Sequence, residues 1–373
     1  MNSAIGIIFS NMNSGALQGL TQERPIAALP FGGRYRLLDF ALSSMVNSVI
    51  HTVGVITPPH YRSLLDHLGA GKDWSLDRKS GGLFILPGVI HSLGQYNMRF
   101  SLKDLVLNRE FLEKDFARQV IISSSDQVYN MDFHPLLKQQ EETGADLTLV
   151  YKQSPEPLTG EDNLYLRLDG SGRVAAMAKT KTKPEPGVSW SYFCNIFVIR
   201  RELLLQILDS FGSIENLELT EVLAQYLSEL RVWGYHFGGY IGRIGSVKDY
   251  FYNNMALLQE EIRGDLFKST RPIRTKIRDN PPTRYGSKAQ VKNSLISSGC
   301  VIEGVVENSI LSRGVVVEEG CMVNNCVIMS KCLLGRNTVL ENLILDKFVA
   351  VQEGSVLKGR PNQPMVISKK AVI

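Results

Sequence analysis

A chain of 373 residues is long enough for two domains and a sizeable core. Its 44% hydrophobic and 21% charged residues are ordinary for a water-soluble globular protein. A net charge of +4 spread without long runs argues against a nucleic-acid stripe, and no apolar run approaches the roughly 20 residues that span a bilayer.

The first predicted element is a buried strand, AIGIIFS, over residues 4–10. No basic region precedes it and no small-residue cleavage site follows, so it reads as a strand rather than an export signal, and a cytoplasmic location with no membrane partner is expected. The next stretch, NMNSGALQGLTQERPIAALPFGGRYR (residues 11–36), lies where α/β proteins place nucleotide phosphates, between a strand and a helix. It holds one early glycine, Gly15, and its first basic residue is Arg24.

Strand and helix periods then alternate. HTVGVIT (51–57) precedes the amphipathic HYRSLLDHL (60–68), and RQVIISSSD (118–126) precedes FHPLLKQQEETG (133–144). This alternation predicts a mostly parallel sheet covered by helices on both faces. The later strands LYLRLD (164–169) and NIFVIR (195–200) suggest antiparallel additions.

From about Val291 aliphatic residues recur every six positions: Ile296 and Ile302, then Leu311, Val317 and Val323, then, after a phase shift, Leu333, Val339, Leu345, Val351 and Leu357. Gly299, Gly304, Gly314, Gly320, Gly335 and Gly354 mark corners. Three such six-residue units make one triangular coil of a left-handed parallel β-helix with the tag pointing inward. The expected organisation is an α/β, Rossmann-like (GT-A-like) nucleotidyltransferase domain over 1–260, a linker over 261–288 rich in proline near its end, and a hexapeptide β-helix over 289–373. Four of the five cysteines (Cys300, Cys321, Cys326, Cys332) fall in the coils without zinc spacing, so free buried thiols are expected.

PFGGRYRLLDFALSSMVNS (30–48) resembles the segment P-F-G-G-K/R-Y/F-R-I/L-I/L-D-F-x-L-S-N-x-x-N-S of bacterial ADP-glucose pyrophosphorylases (glucose-1-phosphate adenylyltransferases). SSDQVYNMDF (124–133) and NNMALL (253–258) resemble two further segments of that family, so with the coils the resemblance spans the chain. It implies adenylyl transfer from ATP to glucose 1-phosphate with magnesium, in glycogen synthesis.

Such transfer needs amides and cations on the triphosphate, carboxylates on the metal, and donors on the sugar phosphate. Laid on the family's phosphate loop, this chain has Asn11 and Met12 for paired glycines, then Asn13 and Ser14, and Gly15 at the Ser/Thr position. Ala16 stands for the loop arginine and Ile26 for the downstream lysine, the two groups that neutralise charge on the leaving diphosphate. Asp126 matches the metal-binding aspartate, with a turn or cap role as its alternative, but Arg243 in YIGRIGS takes the place of the second one. Magnesium takes hard oxygens, so the metal site rests on Asp126 alone and is incomplete. In the sugar segments the family's W-Y-x-G-T-A stretch has no counterpart in HSLGQYNMRFSLKDL (91–105), Lys179 opposes a glutamate, and Asn195 replaces a glycine.

An intact scaffold with these losses resembles the D-type, modulatory subunits of Gram-positive ADP-glucose pyrophosphorylases. The resemblance implies a catalytic C-type partner in a heterotetramer, no cofactor of its own (magnesium belonging to the partner), and at most vestigial binding of ATP, ADP-glucose or a sugar phosphate. Two other readings stay open: an active adenylyltransferase with an unusual site, and a stand-alone metabolite-binding protein. Acyl transfer on the β-helix is disfavoured, because none of the six histidines (His51, His60, His67, His91, His134, His236) falls in the coils. Arg24 and Arg36 match arginines near the family's effector anion site, although Glu23 and Pro30 replace a basic residue and a histidine there. Weak or absent sugar-phosphate activation is therefore expected, and a salt bridge of Arg34 or Arg36 with Asp39 is the structural alternative.

Overall fold

The computed structural model describes residues 4–12, 15–17, 19–89, 98–154, 163–179 and 190–373. One nine-stranded sheet is built from β1 (Ala4–Phe9), β2 (Thr52–Thr57), β3 (Gly82–Pro87), β4 (Gln119–Ser124), β5 (Leu147–Ser154), β6 (Leu164–Leu168), β7 (Val174–Lys179), β8 (Trp190–Arg200) and β9 (Val232–His236). Its spine runs β7-β6-β8-β4-β1-β2-β3, with β5 beside β8 and β9 beside β5. Strands β4, β1, β2 and β3 are parallel, as the alternation predicted. All six residues of β1 are buried, because helices cover both faces of a parallel sheet and leave no polar side to its central strands. Gly6 lets Met45 pack close against the strand: a Cβ there would lie 2.9 Å from Met45 Sδ and push that side chain aside.

The antiparallel additions are β6, β7 and the eleven-residue β8. A register shift between Phe193 and Phe197 bends β8, and Asn195 sits in the bend at φ +55°. Asparagine fits there because its short polar side chain tolerates the left-handed region.

Helix Leu37–Asn47 is buried on every side along ten of its eleven residues. Asp39 in its first turn accepts the Arg36 backbone N–H at 2.9 Å, which satisfies an orphan donor and suits the helix dipole.

The C-terminal part is a left-handed parallel β-helix of three five-stranded sheets. Its pitch corrects the six-residue expectation. Val316 stacks on Leu333, Met322 on Val339 and Val327 on Ile344, a 17-residue coil in which one side has five residues instead of six. An earlier coil is shorter still, with Leu295 on Ile310. Inward residues are therefore Leu334 and Leu340, both buried, whereas Leu333 points outward and is 44% exposed. The short side ends at an asparagine corner. Asn308, Asn325 and Asn342 lie at φ +45°, +52° and +56°. Asn325 Nδ2 donates to Asn342 Oδ1 at 2.5 Å, and Asn293 donates likewise to Asn308 at 2.8 Å. All five cysteines are free and buried, and burial pushes the Cys326 and Cys332 thiols up to about 12.

The outer side of one β-helix sheet carries Ile310, Val327 and Ile344, which share a core with Leu20, Phe31 and Phe251 of the α/β part. Residues 272–283 between the two parts have no helix or strand, yet they are anchored: Arg274 N–H donates to Ser43 Oγ at 2.8 Å and Ile273 is buried.

Candidate functional site

The carboxyl ends of β1 and β4 meet where a parallel sheet collects ligands. The loop after β1 is fastened to the body of the protein. Asn11 Nδ2 donates to Asp104 Oδ2 at 2.5 Å, and the other oxygen of Asp104 accepts the Val89 N–H at 2.7 Å. Asn13 and Ser14 lie outside the described residues, while Gly15 and Ala16 are exposed in a 3-10 turn. Ile26 is buried among Leu17, Leu20 and Leu29, so the position expected to send a cation to the phosphates feeds the core instead.

Asp126 lies just past the end of β4 and is 2% exposed. Arg99 Nη1 donates to its Oδ2 at 2.7 Å, and Ser124 Oγ donates to Oδ1 at 2.5 Å. Arg243 ends the strand Ile241–Arg243, which runs antiparallel to Gln127–Tyr129, and this pairing brings its Nε within 3.9 Å of the same Oδ2. Arg243 also bonds Asn163. Burial alone would raise the Asp126 pKa, but the charges of Arg99 and Arg243 and the Ser124 hydroxyl hold it below the usual carboxylate range.

Two guanidinium groups thus stand against the carboxylate that was expected to hold a divalent cation. Among the described residues no group of three or more His, Cys, Asp or Glu side chains is placed to hold a metal. The residues present do not fit magnesium, which needs several oxygen ligands and is repelled by both arginines.

The described residues of the segments expected at the sugar end are also paired with one another. Lys179 Nζ reaches Glu221 at 3.2 Å and Glu218 at 3.5 Å. Partial burial works against its charge, but the two carboxylates keep the Lys179 pKa above its ordinary value. Glu218 also accepts the Arg99 backbone N–H. The cavity left between Arg99, Phe193, Asn195 and Glu218 measures about 40 Å³, far below the roughly 300–1,000 Å³ of small-molecule sites. The rest of the sugar segments, residues 90–97 (with His91) and 180–189, lies outside the described residues.

A second, open site lies between the two parts of the chain. This cavity of about 400 Å³ is lined by seven lysines and arginines, among them Arg34, Arg36, Arg278, Arg313 and Lys347, and by one carboxylate, Asp279. Arg36 lines it, donating from Nη1 to the Ser63 carbonyl, and burial lowers its pKa to about 10. Arg24 does not, and its expected place at an anion site is corrected: its guanidinium is buried in an ion pair with Asp346 of the β-helix. Nor do Arg34 and Arg36 form the alternative side-chain salt bridge with Asp39, whose Oδ1 instead bonds His67 Nε2 at 2.5 Å. Burial, then the neighbouring charges of Arg36 and Arg24, lower the Lys347 pKa to about 7 despite Asp346.

Sequence reasoning missed Arg99, Arg313 and Lys347. Arg99 lies 27 residues before its partner Asp126 in a segment without a recognisable motif, so no spacing announces it.

The chain matches the nucleotidyl transferase model over residues 6–260 and the GlmU-like C-terminal hexapeptide model over residues 281–362. It is 34% identical to glycogen biosynthesis protein GlgD of Bacillus subtilis (strain 168), over all of this chain and 97% of that protein. Identity to the GlgD of Geobacillus stearothermophilus is also 34%, with the same coverage. It is 30% identical to glucose-1-phosphate adenylyltransferase of Bacillus cereus (strain ATCC 10987 / NRS 248), over 97% of this chain and 96% of that one. With its fold, its full-length coverage and both matched models, the chain belongs to the nucleotidyl transferase family, in the ADP-glucose pyrophosphorylase branch and with a GlgD-like sequence.

Proposed function

We propose that this chain is a catalytically impaired, modulatory subunit in glycogen biosynthesis. It assembles with a competent glucose-1-phosphate adenylyltransferase subunit in a heterotetramer. There it alters the conversion of ATP and glucose 1-phosphate to ADP-glucose and diphosphate. The observation that carries this reading is the pairing of Asp126 with Arg99 and Arg243. Nucleotidyl transfer draws its rate from cations placed on the charge that develops at the phosphates. Here the loop positions offer Ala16 and Ile26, and the arginines near Asp126 neutralise that carboxylate rather than a substrate. Magnesium would be held by the partner's site.

The interdomain cavity supports the modulatory half of the reading. Its lining is set for an anion, and it adjoins the Arg24–Asp346 pair that ties the two parts together, so an occupant there would reach both. Effector response through this subunit would differ from that of active relatives, because Glu23 and Pro30 alter the neighbouring positions.

The test is ADP-glucose formation with magnesium by this chain alone, by an adenylyltransferase relative alone, and by the two mixed. We expect no turnover alone and a changed rate or substrate affinity in the mixture. Robust turnover by this chain alone would refute the impairment, and a mixture identical to the relative would refute the modulation.

A further inference from the structure

One wall of the basic cavity is unlike the others. Arg34 and Arg36 reach the cavity from the α/β part, and Arg313 and Lys347 reach it from the β-helix, but Arg278 reaches it from the segment that connects them. That segment is held at its two ends. At the first, the Ile277 N–H donates to Asp73 Oδ1 at 3.2 Å and Lys276 Nζ donates to the Asp66 carbonyl. At the second, the Thr283 hydroxyl donates to the Ser297 carbonyl at 2.7 Å.

Between these anchors residues 278–282 are all exposed, and among the described residues no hydrogen bond or ion pair involves any of them. Both charged side chains of the stretch, Arg278 and Asp279, line the cavity without a committed partner. Backbone opens most cheaply where it is exposed and few contacts hold it. Pro281 and Pro282 stiffen the far end, so motion falls on Ile277–Asn280.

Arg278 also faces charges of its own sign. Burial, then the charges of Arg34 and Arg278, lower the Arg313 pKa. Burial lowers that of Arg36 too, and Arg24 and Arg278 add to the effect against the pull of Asp39. The connecting segment is thus repelled by both other walls. A multivalent anion among these guanidinium groups reverses the sign of the interaction and offers each a charge-assisted hydrogen bond. Of the walls it attracts, the connecting segment is the one that moves at least cost.

From this arrangement we propose that residues 277–282 form a strap that closes on a multivalent phosphate anion in the cavity, with Arg278 as its contact. The proposal rests on the anion reading of the cavity given above and adds the moving part. Closure lets one ion brace the α/β part, the linker and the β-helix together. The coupling is reciprocal. One charge-assisted hydrogen bond from Arg278 raises affinity about tenfold, and the bound anion then suppresses opening of the strap by about the same factor.

The experiment pairs calorimetry with amide hydrogen exchange on the full chain, using inorganic diphosphate as the probe. In the wild type, saturating diphosphate should slow exchange at Ile277–Asn280 about tenfold. The exposed strand Gln290–Lys292, away from the cavity, should keep its rate. Arg278→Gln should leave the thermal midpoint unchanged, since the side chain makes no ion pair, while weakening diphosphate binding about tenfold and abolishing the slowing. Diphosphate that binds the wild type without slowing exchange in the strap, or that binds Arg278→Gln equally well, would overturn the strap and leave the anion reading standing. Absence of binding to the wild type would overturn both.

Discussion

Two groups of arginines on this chain have opposite surroundings. In the cleft at the end of β4, Arg99 and Arg243 converge on the buried Asp126 and offset its charge. In the interdomain cavity, Arg34, Arg36 and Arg313 face about 400 Å³ of space with one carboxylate among the lining residues. A guanidinium beside a buried carboxylate neutralises it and closes a site, whereas several around a cavity leave a positive field that only an outside anion can satisfy. The chain thus sets one group of arginines against a carboxylate and another around a cavity at the junction of its two parts.

The contrast breaks most visibly at the ion pair beside the cavity. Arg24→Met leaves the buried Asp346 carboxylate without its partner, and removing one member of such a pair costs about 3–5 kcal/mol. Urea unfolding should show that loss, and Arg24→Met with Asp346→Asn should recover part of it. A change below about 1 kcal/mol in the single variant would mean the pair is solvated and ties nothing.

In the closed cleft, Arg243→Asp places a second carboxylate near Asp126 and removes a repelling charge. Titration with manganese followed by electron paramagnetic resonance should detect a divalent site in the variant and none in the wild type. Equal signals from both would show that Arg243 does not exclude the metal. The same cleft has a pH signature. The native Asp126 pKa is depressed, so the stability it contributes is present above its unfolded value near 3.9 and is lost as pH falls through the native one. Arg243→Met raises the native pKa toward the unfolded value and should shift acid unfolding to higher pH.

In the open cavity the titrating group is Lys347, with a pKa of about 7. An anion favours its protonated form, so diphosphate should bind more tightly at pH 6 than at pH 8, with proton uptake in calorimetry across buffers of different ionisation enthalpy. Lys347→Met should flatten that dependence. Affinity that does not change with pH in the wild type would remove Lys347 from the site.

Much of this was legible in the sequence because it is local. Strand β1 is an unbroken apolar run, and Ala16, Ile26 and Arg243 are read position by position against a motif. The β-helix was legible in kind, but not in pitch. A side of five residues differs from one of six only by an asparagine turned into the left-handed region, and that shifted the inward register from Leu333 to Leu334. What stayed hidden is non-local. Arg24 finds Asp346 across 322 residues of chain, and Arg99 finds Asp126 from a segment with no motif. Charge pairing in three dimensions leaves no spacing rule behind.

The smallest effect separates scaffold from chemistry at one residue. Asn195 holds the bend of β8 at φ +55° and lines what is left of the sugar end of the cleft. If the backbone turn is what the position retains, Asn195→Gly should be nearly neutral, since glycine enters the left-handed region freely. Asn195→Ala should then cost about 1 kcal/mol more than Asn195→Gly, because alanine's Cβ meets the following carbonyl there. The opposite order in urea unfolding would mean that the asparagine side chain, and not the bend, is what is kept. Neither variant should gain adenylyl transfer, because enlarging the 40 Å³ cavity leaves Arg99 and Arg243 on Asp126. Turnover appearing in Asn195→Gly alone would place the block in the sugar pocket and not at the arginine pair.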